Sequence, residues 1–334
     1  MTAASIVRLC VIAGVTVTVV PAAALAQHVE GSFQRTLTVG GQVDIDVTTG
    51  SGRIEVRTGS AGRVEVSARI RANDSWGRAR RDLNAEERIK RIEANPPIEQ
   101  SGTLVRIGHN IPEEVRDGVS ISYTLIVPAS ASLRSRTGSG SQDIDGVAGS
   151  IDASSGSGSL VIRQAGSSLR TSTGSGGITA EGVGGSFQAS SGSGSIRASN
   201  VRGAISVKTS SGSIDVTQDG GGSVDAESSS GSVRLRGVRG GVQASTSSGS
   251  LTIQGELSDG WRLSTSSGSV HVNLPQNQGF DLDAHSNSGR IDTDFPVTVT
   301  GVVGKRSLRG AAQGGGPLLH VRTSSGGITI QKRT

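Results

Sequence analysis

The residues in this chain that could do chemistry are few and scattered. His28, His109, His271, His285 and His320 lie far apart, and no two fall at metal-ligand spacing. The single cysteine, Cys10, sits near the amino terminus, so thiolate chemistry has one candidate and a zinc site has almost nothing to draw on. Serine is abundant, but a serine nucleophile needs a base and a group to orient that base. Ser155, Ser191 and Ser211 instead recur in one repeated corner, where a turn hydrogen bond is sufficient reason for them. Asp143 with Asp145, and Asp292 with Asp294, set two carboxylates on one strand face, the least that cleavage of a glycosidic bond requires. Each pair stands alone beside a turn.

Two ion-binding patterns fail on spacing. A calcium β-roll repeats an aspartate at one frame position. Here Asp215 has that place in one repeat, while Arg197, Arg234, Thr252 and His271 hold it in others. Strings such as Gly138-Ser139-Gly140 lack the lysine and following helix of a phosphate-binding loop. No metal or cofactor is expected.

Charge is uneven in one segment. Between residues 69 and 91, Arg69, Arg71, Arg78, Arg80, Arg81, Arg88, Lys90 and Arg91 outweigh Asp74, Asp82, Glu86 and Glu87. An anionic envelope polymer or glycan would be drawn there, with Arg78, Arg80, Arg81, Arg88, Lys90 and Arg91 as candidate contacts. Self-association is the other partner considered. Nucleic acid is disfavoured, because only seven of 334 residues are aromatic (two Trp, one Tyr, four Phe) and stacking platforms are missing.

The elements that position these residues follow from a repeat. The glycines Gly140, Gly158, Gly176, Gly194 and Gly212 stand 18 apart; Gly231, Gly249 and Gly268 continue at 19, 18 and 19. Gly289, Gly326 and an early outlier, Gly52, complete the set. In one unit Ile205, Val207 and Thr209 alternate with polar neighbours, a Ser-Ser-Gly corner follows, and Ile214 and Val216 alternate again. Two period-2 strands joined by tight corners predict an all-β fold, a β-solenoid of 18–19 residues per coil with coils about 4.8 Å apart. Corner glycines are expected for φ > 0 and for close approach between coils. Ordering 18 backbones at about 1–2 kcal/mol each exceeds what four or five aliphatic side chains return at about 1.5–3 kcal/mol each, so coils must stack to persist.

Breaks in the pattern mark the ends. Residues 27–132 are expected to form an amino-terminal β cap and residues 133–334 the solenoid, with an irregular coil or hairpin near 295–317. In the cap, Asn84 and Glu87 make a capping box and Pro96-Pro97 ends the run, which predicts one short helix over 83–94 with Ala85, Ile89 and Ile92 inward. Val119, Ile121, Tyr123, Leu125 and Val127 predict a long strand before Pro128.

The first 26 residues read as a signal peptide. Arg8 precedes an apolar stretch from Leu9 to Val20, too short to span a bilayer, and Ala24-Leu25-Ala26 is a small-residue cleavage site. Cleavage would remove Cys10 and Arg8, leaving 32 basic against 28 acidic residues and no transmembrane segment in the mature chain. The expected address is exported: periplasm, cell surface or extracellular.

The repeated Ser-Gly-Ser-aliphatic corners from 137 to 270 resemble a bacterial family of unknown function labelled "putative adhesins", built of Gly/Ser-rich β-strand repeats. So do Thr49-Gly50-Ser51-Gly52-Arg53-Ile54-Glu55-Val56 and the ending Gly314-Gly315-Gly316-Pro317-Leu318-Leu319 with Thr323-Ser324-Ser325-Gly326-Gly327-Ile328. These motifs are structural corners and transfer no catalytic residue. The expected function is that of a non-catalytic exported β-repeat protein, structural or adhesive in the cell envelope. The alternative is a carbohydrate-active β-helix enzyme, a polysaccharide lyase or hydrolase. Ice binding would need a flat threonine array, and the outward slots instead mix Arg, Gln, Asp and Lys.

Overall fold

The computed structural model describes residues 29–73, 83–299, 304 and 306–333; the segment read as a signal peptide lies outside them. Their strands form two long sheets, I with 14 strands and II with 15, packed face to face. The chain begins with β1 (Val29–Thr38), β2 (Asp44–Thr49), β3 (Ile54–Gly59) and β4 (Arg63–Ala72). Helix α1 (Ala85–Ala94), β5 (Ile98–Ser101), β6 (Leu104–Ile107), a single helical turn α2 (Glu113–Arg116) and β7 (Val119–Pro128) follow. From β8 (Ser132–Thr137) and β9 (Gln142–Asp145) to β22 (Trp261–Thr265) and β23 (Val270–Pro275), strands alternate between sheets II and I, each parallel to its neighbours in the sheet. This is the predicted solenoid, and β16 (Ile205–Thr209) with β17 (Ile214–Gln218) is one coil of it. Ile205, Val207, Ile214 and Val216 point inward and are buried, as the alternation requires.

The corner has a chemical logic that runs the length of the rod. The last inward residue of each sheet II strand that belongs to a coil is Ser or Thr, three residues before the anchor glycine. Thr209 donates its hydroxyl to the carbonyl of Gly194 in the coil below at 3.0 Å, and accepts from the N–H of Gly212 in its own coil at 3.2 Å. Ser228 repeats this on Gly212 and Gly231, at 3.0 and 2.9 Å. The same relay passes from Gly52 through Thr137 and onward to Thr323 and Ser286. Buried hydroxyls thereby satisfy two corner backbone groups per coil that the strand ladder leaves over. Thr209→Val keeps the volume and strands both groups, so it is expected to cost about 3 kcal/mol in urea unfolding. Ser211→Ala, at an exposed position in the same corner, is expected to stay within about 0.5 kcal/mol.

Close approach, not φ > 0, explains the anchor glycines. A Cβ on Gly140 would lie 1.7 Å from the carbonyl oxygen of Gly52, and one on Gly194 would lie 1.8 Å from that of Gly176. Left-handed residues recur in the other corner of the coil, where Gly146, Gln164, Gly182, Asn200 and Gly237 carry φ between 52° and 81°.

Both ends of the rod depart from chain order. The strands β2 and β3 form a true coil, with β8 and β9 stacked on one side and β6 and β7 on the other. The solenoid therefore takes in residues 44–59, which the sequence reading assigned to the cap, and the early glycine Gly52 is its first anchor. The remaining cap strands, β1, β4 and β5, continue the two sheets antiparallel. At the far end, β24 (Phe280–Ser286), β25 (Ile291–Thr293), β26 (Val297–Val299) and β27 (Ser307–Ala312) precede β28 (Leu318–Thr323) and β29 (Ile328–Arg333). The last coil in sequence, β28 with β29, is inserted between β22–β23 and β24–β25. The irregular stretch before it contains the antiparallel pair β26 and β27, which covers the edge of sheet II.

Helix α1 starts as its capping box directs. Asn84 Oδ1 accepts from the N–H of Glu87 at 2.8 Å and Glu87 accepts from that of Asn84 at 3.0 Å. It lies along β1, where Glu93 Oε1 accepts from the N–H of Ser32 at 2.8 Å and occupies an edge group of sheet I. The short turn α2 carried no sequence signal.

Candidate functional surface

The described residues of the basic cap segment are used in different ways. Arg78, Arg80 and Arg81 lie outside the described residues. Arg88 is fully buried, and its guanidinium donates to the carbonyls of Asn84, Asn73 and Asp117, tying α1 to the end of β4 and the start of β7. That contradicts its assignment as a polymer contact. A helix residue one turn before Ile92 and three after Ala85 shares their buried face, and a long side chain there can reach backbone carbonyls. Lys90 is exposed but paired with Glu86 at 2.7 Å; this hydrogen bond lowers the glutamate pKa and raises that of the lysine. Arg71 pairs with Glu30 at 2.8 Å. Arg91 is exposed at the rim of a small apolar cleft between α1 and α2, lined also by Ile92, Ile111 and Val115.

The first acid pair is occupied. Arg57 reaches Asp145 at 2.9 Å and Asp143 at 3.7 Å, and Arg163 holds Asp143 at 2.9 Å. The side-chain hydrogen bond to Glu55, more than the two aspartates, raises the Arg57 pKa further. Asp143 and Asp145 are thus members of a charge ladder across coils on sheet I. Asp215 repeats the arrangement with Arg236 at 2.9 Å and Arg234 at 3.4 Å. Asp292 and Asp294 are exposed near the end of the rod, where Asp294 accepts from the N–H of Lys332 at 3.3 Å. Asp143 and Asp145, held in these ion pairs, do not lie open to a bound sugar in the manner of a glycosidase.

The described histidines make separate contacts. His28 lies outside the described residues. His109 meets Asp46 at 3.2 Å, His320 meets Asp283 at 3.4 Å, and His285 meets Asn287 at 3.0 Å. His271 is exposed on β23. Among the described residues no three metal-ligating side chains come together. Tyr123 is buried against Phe33 in the cap, and burial pushes its phenol pKa well above the ordinary value. Ser155 and Ser191 are relay members with their hydroxyls hydrogen-bonded to glycine carbonyls.

A groove of 610 Å³ on the outer face of sheet II runs along the rod from Leu104 and Asp44 to Gln188. One wall is a file of serines, Ser132, Ser150, Ser168 and Ser186, and the other is the row Arg134, Asp152, Arg170 and Gln188. Sequence reasoning passed over this groove. Its signal was there, since the four serines recur at intervals of 18, but they lie opposite the glycine corner to which the repeat was anchored.

The corners, the relay and the stacked glycines belong to a known scaffold. A family model described as Toastrack DUF4097 matches residues 163–331, more than half of the chain. The chain belongs to the Toastrack DUF4097 family. That family is of unknown function, and the match agrees with the resemblance read from the corners. Solved structures similar to this Toastrack chain include a putative adhesin from Bacteroides fragilis, 12% identical, with a TM-score of 0.34, covering 91% of this chain and 97% of that one. A putative cell adhesion protein from Clostridium sporogenes is 9% identical, with a TM-score of 0.22 and coverage of 91% and 100%. A putative lipid binding protein from Parabacteroides distasonis is 12% identical, with a TM-score of 0.33 and coverage of 91% and 97%. At these scores the likenesses carry no argument about ligands. No curated protein matches the chain. No helix among the described residues is long and apolar enough to cross a membrane.

Proposed function

We propose that this Toastrack protein is an exported, non-catalytic rod with a structural or adhesive role in the cell envelope. One observation carries the reading: the groups that recur along the chain are engaged in holding coil to coil. The repeated hydroxyls bond glycine carbonyls in the relay, and the acids best placed for glycoside chemistry are held by Arg57 and Arg163. What is left to face outward is a long, rigid array of hydroxyls and charges at a fixed spacing. Such an array suits many weak contacts made in parallel. The segment 1–26, read as a signal peptide, supports export.

The test is made in cells. An epitope-tagged full-length chain is followed through fractionation, and the amino terminus of the product is read by mass spectrometry. The expected product begins at or near Gln27 and is found in the envelope or the medium. A product that keeps residues 1–26 and stays in the cytoplasm would overturn the reading. A panel of lyase and hydrolase substrates is expected to show no turnover.

A further inference from the structure

We infer that the groove on sheet II is a binding site for a neutral, hydroxyl-rich linear polysaccharide. The inference rests on the envelope role proposed above and names the surface that would serve it. Three features of the groove carry it.

The first is polarity without net attraction for a polyanion. Going along the rod, the wall reads Arg134, Asp152, Arg170 and Gln188 in successive coils, with Asp46 before them, 3.2 Å from His109 and 3.6 Å from Arg136. Basic donors and acidic acceptors alternate, so the wall offers both hydrogen-bonding senses and little net charge. Sugar hydroxyls, each both donor and acceptor, match that alternation; a row of carboxylates or phosphates does not.

The second is availability. On sheet I the corresponding acids are locked in short ion pairs, such as Arg57 with Asp145 and Asp215 with Arg236, each at 2.9 Å. In the groove the Arg134–Asp152 contact is 3.7 Å, and both side chains are about half exposed (54% and 48%). Arg170 and Gln188 are exposed, and their side chains have no polar partner among the described residues.

The third is shape and repeat. The opposing wall presents the hydroxyls of Ser150, Ser168 and Ser186, all exposed, at successive coils about 4.8 Å apart. One end is bounded by Leu104 of the cap and Asp44 of the first coil, so the groove has direction as well as length. With no aromatic side chain in its lining, the site holds each sugar by hydrogen bonds alone. Affinity then depends on engaging several coils at once.

The test uses the full-length protein on immobilised polymers: a neutral β-glucan, a neutral mannan and acidic alginate. At least one neutral polymer is expected to bind, with affinity nearly flat between about 0.02 and 0.3 M salt, because no net charge is screened. The variant Asp152→Ala/Arg170→Ala/Gln188→Ala changes only outward side chains and is expected to keep the parent melting temperature. Its affinity should fall by about tenfold or more, equal to about 1.4 kcal/mol. Lys90→Ser/Arg91→Ser in the cap should bind as the parent does. Neutral-polymer binding unchanged in the triple variant would overturn the site while leaving the envelope role standing. Binding of alginate alone, lost with salt or in the cap variant, would also overturn it and return the contact to the cap. Failure to bind any of the polymers would overturn it too, whereas fractionation reports separately on the envelope role.

Discussion

Gly212→Ala is expected to destabilise the rod by more than about 4 kcal/mol, the range reached only when something structural must give. The added Cβ would stand 2.0 Å from the carbonyl oxygen of Gly194, 2.4 Å from its carbonyl carbon and 2.8 Å from the nitrogen of Ser195. All three are backbone atoms of the coil below, so no side chain can rotate away. The only relief is to part the coils. Parting them breaks the relay as well, because Gly194 also accepts the Thr209 hydroxyl at 3.0 Å. Gly221→Ala is the control: a Cβ there meets nothing within 4 Å and φ is not positive, so the change should be neutral or stabilising by about 0.5 kcal/mol. Circular dichroism in urea separates the two. Equal midpoints would show that corner glycines are not contact points between coils.

Val207→Asp is expected to cost about 4 kcal/mol at neutral pH, the scale of an uncompensated buried charge. Val207 is fully buried between Ala189 and Ala226 of the neighbouring coils, and none of the three offers a polar side chain to a carboxylate. A buried carboxyl has its pKa raised in the folded state. The penalty is therefore present above the unfolded value and shrinks as pH falls towards about 4, where the unfolded chain also binds the proton. Lys208→Ala, one residue on, should leave the urea midpoint nearly unchanged. It removes only an exposed pair with Glu227 at 3.0 Å, whose hydrogen bond is the main reason the lysine pKa is raised. Similar effects at 207 and 208 would contradict the inward and outward assignment of β16.

The sequence determined what is local and repeated. Alternation set which side chains face inward, a Ser or Thr three residues before a glycine set the corner, and Asn84 with Glu87 set the start of α1. Each of these is a relation between residues close along the chain, and the coil closes on itself every 18 or 19 residues, so local spacing is enough to define it. Only the tertiary structure decided what depends on neighbours far apart in sequence. The order of coils at both ends is one case, because a long excursion before stacking costs little more closure entropy than a short one and leaves no periodic mark. Another is the use of charged residues. Arg88 turns inward because Asn73 and Asp117, remote in the chain, present carbonyls to it. Asp143 and Asp145 are tied up because β3, 80 and more residues earlier, stacks directly beneath them with Arg57. The serine file of the groove lies between these cases: its interval of 18 is written in the chain, but that it walls a groove follows only from coils stacked in register, with the arginine and aspartate row standing opposite.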